Sequence, residues 1–428
     1  MIKNRVSSCL WAIGCVISAA LPTMAVNLGP HEYPITVSGQ ELVLPAQISH
    51  PLEGKQEEVN RVVIGIHGAG YASQEAYNAV VIASGGHSGS SDPVCIIAPQ
   101  FLRSSALPAS IPDNLLYWNN FPFRGTSSAR YGPSANRVTI SVFDVLDRIL
   151  ETVTDPELFP NLETIVVVGF SAGGQTVNRY AIAGRFESTL PAESGIHMRY
   201  MVLSPSSYLY FTPERDADGD GVFTVPVTTC SYNDWGYGFE GLFSYPSGTG
   251  PVTMREQYPE RFVFYLVGGN DNNPNDSSLA MGCESQLQGP HRVARAEIYF
   301  NHLLDTYGPD ILNYQSLDIV PGAGHSFSQT LNSVAGKRYL LDEDTTDSDG
   351  DGPTDWAEWI AGTDPNDPAD RFKPSWEVAG EPGEQGISWP MIPGRTYQIF
   401  ASDSLSGPYS EETTIIADDN TVEGNWPV

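Results

Sequence analysis

Residues Gly169-Phe170-Ser171-Ala172-Gly173 constrain this chain more than any other stretch, because they follow the apolar run Ile165-Val166-Val167-Val168 and precede a helix-like segment. That pattern implies a strand, a sharp turn and a helix, with a serine at the apex. Glycine on either side suits a tight turn, where a Cβ would collide with neighbouring backbone. The small Ala172 lets the helix start close behind Ser171, so the hydroxyl stands up at the carboxyl edge of a sheet. A serine held this way is a candidate nucleophile; the plainer alternative is a structural turn serine.

A serine nucleophile needs a base to take its proton and an acid to orient that base. Downstream, Arg261-Phe262-Val263-Phe264-Tyr265-Leu266-Val267 reads as a buried strand and runs into Gly268-Gly269-Asn270-Asp271. Asp271 is the candidate acid, with turn capping as the bland role for it and for Asp276. The next strand-like run, Ser316 to Val320, leads into the glycine-rich Pro321-Gly322-Ala323-Gly324-His325, and His325 is the candidate base. Upstream, Val62 to Ile66 ends in His67-Gly68-Ala69-Gly70. Backbone N–H groups of Gly68 or Ala69, together with that of Ala172, are the candidate oxyanion donors.

The chain has 428 residues, long for one domain, and a formal charge of −29. Nucleic acid is an unsuitable partner, since phosphate contacts need a basic face and none is visible. The acidity fits solubility and cation binding instead. Met1 to Ala25 combines Lys3 and Arg5, an apolar stretch from Leu10 to Leu21, and Thr23-Met24-Ala25. This reads as a secretory signal peptide cleaved before Val26, which puts the mature chain outside the cell or in the periplasm. The apolar run is too short for a membrane span. Of five cysteines, Cys9 and Cys15 fall in that leader. Cys95 sits in a strand-like run and reads as a buried thiol. Cys230 and Cys283 lie in loop-like segments of an exported chain, so a disulfide between them is expected.

From residue 61 strands and helices alternate, the pattern of an α/β fold with a mostly parallel sheet covered on both faces. Val138, Val142, Val145, Leu146, Ile149, Leu150 and Val153 recur at helical spacing. A hairpin is expected over 33–48. Between about 205 and 260 lies an insertion rich in Tyr, Trp and Phe, positioned to overhang Ser171 like a lid; its aromatics either line a pocket or pack against the body. Asp347, Asp349, Asp351, Pro353 (through its carbonyl), Asp355 and Glu358 occupy positions 1, 3, 5, 7, 9 and 12 of an EF-hand-type loop, with Gly352 at position 6. Calcium is the expected cofactor there, in a structural role. Asp216, Asp218 and Asp220 begin the same pattern, but Val227 replaces the bidentate carboxylate. The expected organisation is therefore a leader (1–25), a catalytic domain (26–341), a calcium-loop linker (342–370) and a small β module (371–428).

The region from about 30 to 340 resembles the α/β-hydrolase superfamily, and within it a group of secreted hydrolases of bacteria and fungi. The matching residues are Gly169 to Gln175, Arg179-Tyr180-Ala181, Pro205-Ser206-Ser207-Tyr208, Tyr232 to Gly238, and Gln288-Gly289-Pro290-His291-Arg292. The resemblance implies a Gly-x-x-Asp acid loop, which favours Asp271 over Asp276. It also implies a histidine before the nucleophile in many members, where this chain has Phe170. Residues 342 to 370 are similar to bacterial thrombospondin-type calcium repeats. Together these readings lead to an exported serine hydrolase acting on a small or polymeric carboxylic ester. The rivals are a silent hydrolase fold serving calcium-dependent adhesion, and a peptidase of the same fold.

Overall fold

The computed structural model describes residues 26–341 except 87–88, 90, 120–121, 192–193 and 218, then positions 349, 363 and 367–370, and the backbone of five strands between 375 and 427. The leader therefore lies outside the described residues, as do Asp347, Asp351, Pro353, Asp355 and Glu358.

Eight strands form the central sheet: β1 (His31–Val37), β2 (Gln40–Ile48), β3 (Arg61–Ile66), β4 (Val94–Pro99), β5 (Thr164–Phe170), β6 (His197–Leu203), β7 (Phe262–Gly268) and β8 (Gln315–Val320). Their order is β1-β2-β4-β3-β5-β6-β7-β8. The β1–β2 hairpin and the β2–β4 pair are antiparallel, and every pair from β4 to β8 is parallel. Parallel neighbours require crossovers, and helices supply most of them: α1 (Ser73–Ala83), α2 (Val142–Val153), α3 (Ala172–Ala183) and α4 (Arg292–Tyr307); α5 (Phe327–Leu331) and α6 (Val334–Leu341) follow β8.

The central strands β3, β4 and β5 are almost wholly apolar because both faces are covered, whereas β1 alternates exposed and buried residues. Successive side chains of β3 and β5 serve two separate cores. Val62, Ile64, Ile66, Ile165 and Val167 join the core under α2, α3 and α4. Val63, Val166, Val168 and Phe170 join the one under α1, α5 and α6. No helix among the described residues is long and apolar enough to cross a membrane.

The helical spacing that starts at Val138 overshoots the helix. Asn136–Thr139 is a strand of a small antiparallel sheet, and α2 begins only after Ser141. A capping box sets that boundary: Asp144 N–H donates to Ser141 Oγ at 3.0 Å, and Ser141 N–H donates to Asp144 Oδ2 at 2.8 Å.

In the insertion between β6 and β7, Tyr208, Tyr210, Phe211, Trp235 and Tyr245 are buried in the larger core. Arg179 of α3 donates through Nε to the Gly236 carbonyl at 3.0 Å, and Trp235 Nε1 donates to the Arg124 carbonyl at 2.8 Å. A disulfide joins Cys230 of the insertion to Cys283. Cys95 is a buried free thiol, and burial pushes its pKa up to about 12. Both Asp216 carboxylate oxygens accept backbone N–H groups, from Asp220 and Gly221, at 3.0 Å each. Asp218 lies outside the described residues. Among those residues, no group of three or more His, Cys, Asp or Glu is clustered to hold a metal.

Candidate active site

Ser171 sits between β5 and α3 with φ 56° and ψ −113°, a left-handed conformation that costs a non-glycine residue on the order of 1–3 kcal/mol. Close packing keeps it there. A Cβ at Gly173 would run into the carbonyl oxygens of Ile66 and His67, so α3 can approach the β3 end only with glycine at that position. Ser171 N–H donates to the Leu203 carbonyl at 2.9 Å, fixing the turn to the next strand. Only 9% of the residue is exposed.

The loops after β7 and β8 bring the other two nominated side chains to this turn. Asn270 N–H donates to the Ala323 carbonyl at 2.9 Å, joining the acid loop to the histidine loop. Gly268 permits that contact, because a Cβ on it would lie 2.5 Å from the carbonyl oxygens of Ala323 and Gly324. The result is a continuous relay. His325 Nε2 is 3.1 Å from Ser171 Oγ, and His325 Nδ1 is 2.7 Å from Asp271 Oδ2. A carboxylate at Nδ1 places the imidazole proton there, which leaves Nε2 free to accept the serine hydroxyl proton. Burial works to raise the Asp271 pKa, but the His325 hydrogen bond and the Arg292 guanidinium outweigh it and hold the carboxyl below its usual value. Asp276 stands outside the relay, accepting from Ser278 in a surface turn.

Phe170 occupies the position before the nucleophile. Its ring lies 4.5 Å from the His325 ring, centroid to centroid, and it stacks on Phe327 at 5.4 Å. An apolar floor thus fixes the plane of the imidazole. Phe170→Ala should lower kcat about fivefold with little change in KM, since a ring contact of this kind is worth about 1 kcal/mol. Steady-state ester kinetics check this, and an unchanged kcat would show that the ring does not orient His325.

The loop carrying Gly68 and Ala69 is held by His67. His67 is fully buried, and burial lowers its pKa to about 4, so the ring is neutral. Its Nε2 accepts from the Phe101 N–H at 2.9 Å. The proton is therefore on Nδ1, which donates to the Gly68 carbonyl at 2.8 Å. Tyr71 N–H donates to the same carbonyl at 3.1 Å. In a trans peptide the N–H points opposite to the C=O, so pinning the Gly68 carbonyl turns the Ala69 N–H to the other side. This peptide flanks the nucleophile: a Cβ on Gly68 would sit 3.6 Å from Ser171 Cβ. Ala172 N–H, in the first turn of α3, has no helical acceptor. The Gly68–Ala69 peptide and Ala172, the candidate oxyanion donors, thus lie beside Ser171. Tyr71, Leu102, Phe123 and Ala172 belong to one apolar cluster.

Sheet order, a serine on the strand-to-helix turn after β5, an acid after β7 and a histidine after β8 define one architecture. This is the α/β-hydrolase fold. No family model matches the chain, and no curated protein sequence does either. Among solved structures the chain is similar to a poly(3-hydroxybutyrate) depolymerase from Bordetella parapertussis, with 18% identity over 75% of this chain and 92% of that one and a TM-score of 0.47. It is also similar to poly(aspartic acid) hydrolase-1 from Sphingomonas sp. KT-1, with 17% identity, 71% and 96% coverage and a TM-score of 0.45. An esterase from Pyrobaculum calidifontis gives 14% identity, 73% and 82% coverage and a TM-score of 0.35.

Proposed function

We propose that this protein is a serine hydrolase that cleaves carboxylic esters through an acyl-enzyme. The observation that carries the reading is the unbroken path from Ser171 Oγ through both His325 nitrogens to Asp271 Oδ2. Ser171 Oγ attacks the ester carbonyl while its proton passes to His325 Nε2, and the ionised Asp271 stabilises the imidazolium that forms. The N–H groups of Ala69 and Ala172 receive the alkoxide oxygen, an interaction typically worth ~3 kcal/mol for each donor. Collapse expels the alcohol with the proton from Nε2. Water, deprotonated by the same nitrogen, then releases the acid and restores Ser171.

A panel of p-nitrophenyl, feruloyl, acetyl and polyester substrates beside matched amides tests the proposal. Turnover of esters well above amides is expected. Turnover of amides alone would make the protein a peptidase, and turnover of neither would make it a silent fold suited to adhesion.

We also propose export after cleavage of residues 1–25, and calcium held by Asp347, Asp349, Asp351, Pro353, Asp355 and Glu358 in a structural role. The spacing of these oxygen donors supports calcium, and the leader pattern supports export. Chelation should lower the Tm of the unfolding step that includes residues 343–428 while ester turnover persists. Immediate loss of turnover would contradict a purely structural ion.

A further inference from the structure

Asp271 has two carboxylate oxygens, and they are divided between partners. Oδ2 faces His325, while Oδ1 accepts from Arg292 Nη1 at 3.0 Å. Arg292 opens α4, twenty-one residues beyond the acid, and its side chain is 1% exposed against 4% for Asp271. Its other arm, Nη2, donates to Ser278 Oγ at 2.9 Å, and Asp276 Oδ1 lies 3.5 Å from Nη1. A buried guanidinium keeps its charge at any working pH and presents a rigid fork. Here the fork spans the acid loop and fixes the carboxylate's rotation about its own axis.

We propose that Arg292 is a positioning residue of the relay: it holds Asp271 Oδ1 and so reserves Oδ2 for His325. The inference rests on the serine-hydrolase reading above. Asp276 on the acid loop and His291 and Arg295 on α4 share the neighbourhood, and none of them bonds to Asp271 Oδ1. Burial of Asp271 makes the clamp necessary as well as useful, because a desolvated carboxylate with one free oxygen would be drawn toward protonation.

The test compares kcat and KM for ester turnover in the wild-type protein, R292Q and R292K. In R292Q kcat should fall roughly ten- to a hundredfold with little change in KM, as the acid loses its fixed rotation. R292K keeps the charge but loses the fork, so kcat should fall there too, by a smaller factor. If R292Q does not fold, S278A decides, because Ser278 is exposed and reaches the relay through Arg292, directly at Nη2 and by way of Asp276. A kcat reduced several-fold at unchanged KM supports the clamp, and an unchanged kcat overturns it. A wild-type kcat in both R292Q and R292K would also overturn it. An inert wild-type protein would refute the hydrolase reading itself, a separate outcome.

Discussion

A Ser171→Ala chain should lose ester turnover by on the order of 10⁵–10⁶-fold while keeping its fold. The size of the loss follows from chemistry that no neighbour can replace. Among the residues bonded to His325, only Ser171 carries a hydroxyl that can be activated, at 3.1 Å from Nε2. Removing the serine of a Ser-His-acid unit costs about as much as removing all three, because they act together. The residual rate belongs to the oxyanion donors and to substrate binding, which the substitution leaves in place. Stability should barely move. Alanine tolerates the φ of 56° no worse than serine does, and the hydroxyl's one partner here is the imidazole. Equal thermal melting of the two proteins, with turnover above background in the wild type only, is the expected pair of results. A variant that kept more than about a hundredth of the activity would place the nucleophile elsewhere.

Asp271→Asn should cost roughly 10³–10⁴-fold in kcat at pH 7, although the side chain keeps its shape. The two partners of Asp271 dictate the outcome. Arg292 offers only donors, so the new carbonyl oxygen must face Arg292 Nη1 where Oδ1 now lies, 3.0 Å away. The NH2 group then faces His325 Nδ1. A donor there forces Nδ1 to accept, which moves the imidazole proton to Nε2 and leaves nothing to take the serine proton. Fluorophosphonate labelling should slow in parallel, since it uses the same nucleophile and base. If labelling kept its wild-type rate, His325 would not need Asp271 to set its tautomer.

The parts of this architecture carried by local sequence were readable from the chain alone. Runs of β-branched residues at 62–66 and 165–168 are long enough to mark buried strands, and glycines that would collide as alanine mark the close approach of α3 to β3. Asp271 and His325 follow from their place just past such strands. What was hidden depends on long-range contact. Nothing in the spacing of Arg292 signals that its fork closes on an acid twenty-one residues earlier, although the Gly-Pro-His-Arg stretch was noticeable. How His67 pins the Gly68 carbonyl stays hidden until the Phe101 amide is seen to fix its tautomer. The insertion aromatics cannot be sorted by composition, because a buried core and a concave pocket use the same residues; burial alone separates them. Val138 misleads because helical spacing continues by chance across a cap, and only the Ser141–Asp144 pair stops it.

Mapping the covalent adduct left by a fluorophosphonate tests the central claim most directly, because it reports which atom attacks. Proteolysis and mass spectrometry of the labelled wild-type protein should find one phosphonyl group, on the peptide containing Ser171, with labelling that is lost in Ser171→Ala and accompanies loss of ester turnover. An adduct on another residue, or full loss of turnover with Ser171 unmodified, would contradict it.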